Sequence, residues 1–308
     1  MWIYYLMLVG AVLLFSVQFV FTKCFQKEKG STFFYSMIFS AIVGAVSIPF
    51  FILLNGGKIE FTPFSLLIAV LYSADAIVCS VFGAKTLSRA NLSVYSIFMM
   101  LGGMLLPFFY GFTLGEKMTW LKGVAMAFVL ASMLLTLKKE DGKKADPFTL
   151  VCYAIIFITN GVTGVLTFMH QRATVAIVSE SGFLVLANTA KAALSLLVVL
   201  GIFIYSRIKD PSITKIDGDS PTKKEKSKFY SWVLAIGFSV GFAIVHGTGS
   251  LLSTITASYI EAGVQSTIGT GGCILMSAIF GIAFGEKITK KSLASLLCAL
   301  AGTVLIVL

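Results

Sequence analysis

Asp75 is the one carboxylate set well inside an apolar stretch, with Tyr72-Ser73-Ala74 on one side and Ile77-Val78 on the other. A charge at the centre of a hydrocarbon layer costs at least about 3 kcal/mol, so such a group faces a polar interior and marks a functional site by default. The competing reading is a structural pairing with another buried polar group. His246, in Ala-Ile-Val-His-Gly-Thr-Gly, lies 170 residues beyond Ala76, one step from Asp75. An imidazole titrates near neutral pH and suits a proton relay, or it serves as a neutral hydrogen-bonding bridge between helices. Lys191 stands about ten residues into another apolar run with Asn188 one turn earlier. It binds an acidic group, or its long stem snorkels toward an interface. Gln18 and Asn160 are paired amides offering donors and acceptors to a neutral or zwitterionic solute, or serving as helix–helix glue. Tyr72 and Tyr95 offer ring faces, or ordinary core packing. Tyr95/Gln265 and Ser96/Ser266 complete the candidate set, each pair separated by the same 170 residues.

These groups are suited to binding rather than bond cleavage. The chain has two histidines, His170 and His246, and no Gly-x-Ser-x-Gly, His-Glu-x-x-His or Walker A pattern. Gly247-Thr248-Gly249-Ser250 beside His246 is a weak hydrolase echo, better explained by glycine packing. No cofactor or metal motif is present. Cys24, Cys79, Cys152, Cys273 and Cys298 fall in or at the ends of apolar runs without Cys-x-x-Cys spacing, and read as small hydrophobes.

The elements that must position these side chains are set by composition. Hydrophobic residues make up 57% of the 308 and charged residues 12%, with mean hydropathy +0.93. Soluble domains carry about 25% charged residues. Such a chain belongs in a lipid bilayer, where each crossing helix needs about 20 apolar residues. Ten runs qualify: 2–25, 33–54, 62–86, 91–114, 118–137, 148–169, 181–205, 230–254, 261–284 and 289–308. They are continuous rather than alternating, so helices are predicted, not a barrel. The first run has no basic leader and no small-residue cleavage site, so it reads as a span rather than a signal peptide.

Val94–Lys117 and Val264–Lys287 carry the same text without a gap. Shared positions include Val94/Val264, Gly102/Gly272, Leu105/Leu275, Gly111/Gly281 and the closing Gly115-Glu116-Lys117/Gly285-Glu286-Lys287. Duplication inside a membrane protein is how many carriers are built, with the solute site between the halves. Five helices per half is an odd number, so the second copy enters the membrane inverted. The halves are 1–137 and 148–308, joined by the polar linker 138–147, and a charged loop spans 207–228. Gly-x-x-x-Gly recurs at Gly111/Gly115 and Gly281/Gly285 and is expected to let helices approach closely. Glu116 and Glu286, at helix boundaries, are expected to cap the following helix.

The formal net charge is +10. The basic residues sit in linkers between spans, which argues against a nucleic-acid partner. Nineteen Lys and Arg residues fall in linkers after odd-numbered helices and four after even-numbered ones. By the positive-inside rule the odd linkers face the cytoplasm and both termini face outward.

These features together resemble the drug/metabolite transporter superfamily, in its ten-helix branch made of two EamA-type repeats. The family's first-helix pattern, close to Trp-Gly-Ser-Asn-Phe-x-x-x-Lys, is similar to Phe15-Ser16-Val17-Gln18-Phe19-Val20-Phe21-Thr22-Lys23. Its fourth-helix ending, Gly-Glu-Arg/Lys, is similar to Gly115-Glu116-Lys117 and Gly285-Glu286-Lys287. The chain departs at the mid-helix proline, where Gly102 and Gly272 stand, and the family's usual topology puts both termini in the cytoplasm. The resemblance implies an all-α fold of ten transmembrane helices in two inverted repeats. It also implies a plasma-membrane carrier, monomer or homodimer, that moves a small solute by alternating access, with protons or another ion as coupling partner. The expected solute is a small polar metabolite, amino-acid-like or otherwise zwitterionic or neutral. Asp75 and His246 are the coupling candidates. An exporter of cationic drugs is the alternative, although the membrane-embedded acid that small multidrug relatives carry in helix one is replaced here by Gln18. A membrane enzyme or a channel is the reading from another class.

Overall fold

A computed structural model describes residues 2–30, 32–87, 92–136, 147–208, 228–283 and 290–307. All regular structure among them is helical: α1 (Trp2–Lys29), α2 (Phe33–Leu54), α3 (Pro63–Leu87), α4 (Leu92–Thr113), α5 (Trp120–Thr136), α6 (Pro147–Gln171), α7 (Glu180–Ile208), α8 (Lys228–Ala257), α9 (Ala262–Ala283) and α10 (Lys290–Leu305). One helix stands in each predicted apolar run. In hydrocarbon a backbone N–H or C=O has no water to bond, and an α-helix satisfies both within its own segment. α1, α6, α7 and α8 outlast the apolar run at one end or both, because the hydrogen-bond ladder does not stop where the charged residues begin. Pro63 and Pro147 open α3 and α6, at a position where a missing N–H costs nothing.

Among the described residues six helices, α1, α2, α3, α6, α7 and α8, are long and apolar enough to cross a membrane. α5 and α10 are shorter, 17 and 16 residues, or about 25 Å at 1.5 Å per residue. Large apolar side chains lie open along the helices. On α7 alone, Leu196, Leu197 and Leu200 are 57%, 64% and 54% exposed. Such a surface is tolerable in lipid and not in water, and it marks an all-helical membrane protein. The five cysteines are free thiols. The linker 137–146, most of the charged loop and Glu286 lie outside the described residues.

The chain forms two compact units, each drawing helices from both sequence halves. The first comprises Met1–Ser16, Lys85–Thr174 and Leu252–Leu308. In it α4 packs between α6 and α9, and α5 lies along α10. Glycines permit the closest approach. A Cβ on Gly102 would run into the Phe157 carbonyl, and one on Gly161 would sit 2.7 Å from the Gly102 carbonyl oxygen and 2.6 Å from Leu106 Cβ. Across α5 and α10 the Ser295 hydroxyl donates to the Ser132 carbonyl at 3.0 Å, above a core of Met104, Val129, Met133 and Ala299. The expected Gly111/Gly115 packing pair is corrected by the structure. Gly111 faces the Glu116 carboxylate, and Gly115 takes φ +82° in the turn that ends α4. Its value is conformational, since a side chain is strained there. Of the second copy, Gly285 and the side of Gly281 lie outside the described residues.

The other unit comprises Val17–Ala84 and Val175–Leu251. α2 crosses α7 closely, for a Cβ on Gly44 would lie 3.0 Å from both the Asn188 carbonyl and Ala192 Cβ. The Ser73 hydroxyl of α3 lies 2.7 Å from the Ala187 carbonyl of α7. Aromatic pairs Phe25–Phe39, Tyr35–Trp232 and Phe39–Phe242 join α2 to the second half of α1 and to α8. The Lys29 ammonium sits 3.8 Å over the Trp232 ring, a cation–π contact at the α8 start.

The α2–α3 and α6–α7 linkers are clamped together. Asn55 Oδ1 accepts from the hydroxyls of Ser179 (2.9 Å) and Ser181 (2.6 Å), and Glu60 Oε2 accepts from the Ser179 N–H at 2.6 Å. α3 and α7 therefore start from one end and run parallel. Trp232 beside Tyr35 shows α8 and α2 starting together from the opposite end. The Ser179 N–H, followed by the Ser179 and Asn55 side chains, holds the Glu60 carboxyl below the usual carboxylate range.

Gly102→Ala is expected to lower the thermal unfolding midpoint in detergent, by about 1–3 kcal/mol of overpacking. Gly201→Ala, with nothing within 4 Å of the new methyl, should be neutral or gain up to about 1 kcal/mol. Because folding lowers the Glu60 pKa, its stabilisation is present above the unfolded carboxylate pKa and is lost as pH falls through the folded value. Glu60→Gln should therefore flatten the acid limb of a stability-versus-pH profile relative to wild type.

Candidate functional site

Five of the sequence-derived candidates lie in the second unit. Gln18 comes from α1, Tyr72 and Asp75 from α3, Lys191 from α7 and His246 from α8. Their depth follows from the packing already described. Gly44 of α2 seats between Asn188 and Ala192, which bracket Lys191. Phe39, a little over one turn before Gly44, meets Phe242, and one turn beyond Phe242 is His246. Ser73 reaches Ala187, so Asp75 and Lys191 advance together along two parallel helices. Asp75 is twelve residues from the start of α3 and Lys191 eleven from the start of α7, a depth of roughly 16–18 Å at 1.5 Å per residue. That is mid-membrane for a hydrocarbon layer of about 30 Å.

Gln18 and His246 are directly bonded, with His246 Nδ1 2.5 Å from Gln18 Oε1. An amide oxygen only accepts, so Nδ1 carries the proton. In the neutral ring Nε2 is then the acceptor, and the Ser250 hydroxyl, one turn along α8, lies 3.4 Å from it. Phe242 stacks on the imidazole with centroids 5.0 Å apart and planes at 22°. The ring is thus oriented from three directions, with its tautomer set from α1. Lys191 is close enough to act electrostatically on His246, as Asp75 is on Tyr72. The Tyr72 ring meets Phe183 edge-on at 6.0 Å. Among the described residues no carboxylate lies within ion-pair distance of Lys191.

The remaining candidates belong to the first unit. Asn160 Nδ2 donates to the Met99 carbonyl at 2.7 Å, tying α6 to α4. Gln265 is buried, and its Nε2 donates to the Ser253 carbonyl (2.9 Å) and hydroxyl (3.1 Å). Its Oε1 finds no donor among the described residues. The Ser266 hydroxyl bonds back to the Gly263 carbonyl within α9. Tyr95 and Ser96 lie on α4, but their side chains fall outside the described residues.

A second polar centre, in the first unit, was not foreseen. Glu116 does cap a helix, but α9 rather than the adjacent α5. Its Oε1 accepts from Ala262 N–H (2.6 Å) and its Oε2 from Gly263 N–H (3.3 Å). Arg172, at the end of α6, pairs with Glu116 at 3.2 Å and donates to the Ala257 and Ile260 carbonyls. One ion pair thereby neutralises the positive end of α9 and the negative end of α8. The available signals were the repeated Gly-Glu-Lys and a lone arginine closing α6. Nearby, a cleft lined by Tyr5, Thr119, Lys122, Tyr259 and Glu261 holds a second ion pair, Lys122–Glu261. Among the described residues no group of three His, Cys, Asp or Glu is placed to hold a metal ion.

No family model matches the chain. No curated protein matches it either. Solved structures do: one, described only as the crystal structure of a protein, superposes with a TM-score of 0.70 over 97% of this chain and 94% of its own, at 16% identity. At that identity the likeness is one of fold.

Gln18→Leu leaves the His246 Nδ1–H facing hydrocarbon and is expected to destabilise the protein by about 1–3 kcal/mol. The double variant Gln18→Leu/His246→Phe should lose less than the sum of the single changes in thermal unfolding; strict additivity would deny the bond.

Proposed function

We propose that the protein is a secondary active transporter of a small polar metabolite, built as ten transmembrane helices in two inverted five-helix repeats. The observation that carries this reading is the Gln18–His246 bond beside Lys191, with Asp75 at a matching depth of α3, so that polar groups from both sequence halves share one mid-membrane level. Polar groups at that depth are costly, and a carrier is the kind of protein that needs them there. The pairing of α2 with α7 and of α5 with α10 is what two copies of one five-helix unit would make. The resemblance to the drug/metabolite transporter superfamily supports the same reading, with alternating access through a central polar site. On the charge count the odd-numbered linkers face the cytoplasm of a cell whose plasma membrane holds the protein.

Asp75 and His246 are the coupling groups in this reading, with protons or another ion as the driving partner. His246 is already held with one protonated nitrogen and an accepting Nε2, the arrangement from which a second proton can be taken. The ammonium of Lys191 beside the site weighs against the alternative, an exporter of cationic compounds.

In proteoliposomes the purified protein should show counterflow: unlabelled solute inside accelerates entry of label, which an enzyme or scaffold does not do. Asp75→Asn should reduce uphill accumulation at least about tenfold while folded protein is retained. Unchanged accumulation in that variant would remove Asp75 from the coupling role.

A further inference from the structure

The donors of the second unit outnumber the acceptors that meet them. Lys191 brings three N–H bonds and a charge to the mid-membrane level, and among the described residues it makes neither an ion pair nor a hydrogen bond. Gln18 spends its carbonyl oxygen on His246 Nδ1, which leaves both amide hydrogens of its Nε2 uncommitted among those residues. Two carbonyls of α7 in the turns before Lys191 are already used. The Ala187 carbonyl takes the Ser73 hydroxyl, and the Leu184 carbonyl takes Asn188 Nδ2. An ammonium in a low-dielectric interior with no counter-charge is costly. Snorkelling does not relieve it readily, because Lys191 starts roughly 16 Å from the nearer end of α7.

We infer that the transported solute carries an acidic oxygen group, and that this group seats on Lys191 Nζ with Gln18 Nε2 as second donor. The inference rests on the carrier reading and narrows its solute from neutral or zwitterionic compounds to those bearing a carboxylate or phosphate. His246 links the two donors. It is bonded to Gln18 and lies in the field of Lys191, so an anion arriving between them neutralises the charge acting on the imidazole. Asp75, at a matching depth on the neighbouring α3, favours a solute whose remainder is neutral or cationic over one with a second acidic group.

The test uses the full-length protein and matched probes that differ only at the acidic group. Glycine, L-alanine and L-phenylalanine are compared with their primary amides, and O-phosphoethanolamine with ethanolamine. Thermal stabilisation of purified protein is read first, then counterflow in proteoliposomes with the best stabiliser. Acids are expected to stabilise and exchange where their partners do not, with the carboxylate and phosphate arms separating the two sources of the charge. Lys191→Met should weaken acid binding about 10- to 100-fold, the scale of a lost hydrogen bond to a charged group. Lys191→Arg should keep most of it.

Amides binding as tightly as acids in the wild type would overturn the inference, and that comparison needs no variant. So would Lys191→Met binding acids with wild-type affinity. Either result, if counterflow persists, leaves the transporter standing. Absence of stabilisation and counterflow with every acid tested overturns the inference for carboxylates and phosphates alike. If no solute of any class, including these amides, drives counterflow, the carrier reading fails with it.

Discussion

Hydrocarbon gives a polar group no partner, and every feature of this molecule answers that fact. The backbone answers it by being helical wherever it is apolar. The side chains answer it by pairing across helices at defined depths. Gln18 meets His246, Ser73 meets the Ala187 carbonyl, and Asn160 meets the Met99 carbonyl. Between helices there is no hydrophobic drive in lipid, so association relies on close van der Waals approach and on such bonds. Gly44, Gly102 and Gly161 supply the approach. Lys191 stands apart from this pattern, with no hydrogen bond or ion pair among the described residues.

The two polar centres have different characters. The one around His246 is built from residues on four helices, and among the described residues its Lys191 ammonium and Gln18 Nε2 make no hydrogen bond. The Glu116–Arg172 centre is saturated: two backbone N–H groups, two backbone carbonyls and one ion pair close on one another. A saturated network locks the helix ends that it joins, while an unsaturated one is left with affinity to spend on something else.

Much of this was legible in the sequence. Ten helices lie in the ten apolar runs, because run length and the absence of alternation are direct readouts of backbone satisfaction in lipid. Asp75, Lys191 and His246 stood out for the same reason, each being a costly residue type in an apolar context. Which of them meet was not legible. Gln18 and His246 are far apart in the chain, and their bond depends on the lateral order of α1 and α8, which hydropathy does not encode. The Gly111/Gly115 spacing misled because a terminal glycine serves a turn as readily as a helix contact. Glu116 was recognisable as a cap, but not the helix that it caps, since nothing local shows that the end of α4 lies beside the start of α9.

The partnering of helices bears on how the chain is made. α2 finds its main neighbour in α7, α4 in α6, and α5 in α10. During synthesis the amino-terminal helices therefore enter the bilayer before most of the surfaces that they will contact exist. Until α6, α7 and α8 have been made they are lipid-solvated rods without these partners, Gln18 lacks its imidazole until α8 is complete, and Glu116 waits for the start of α9. The nascent half depends on the insertion machinery, rather than its own packing, to stay intact, and quality control has its widest opportunity to act in that interval.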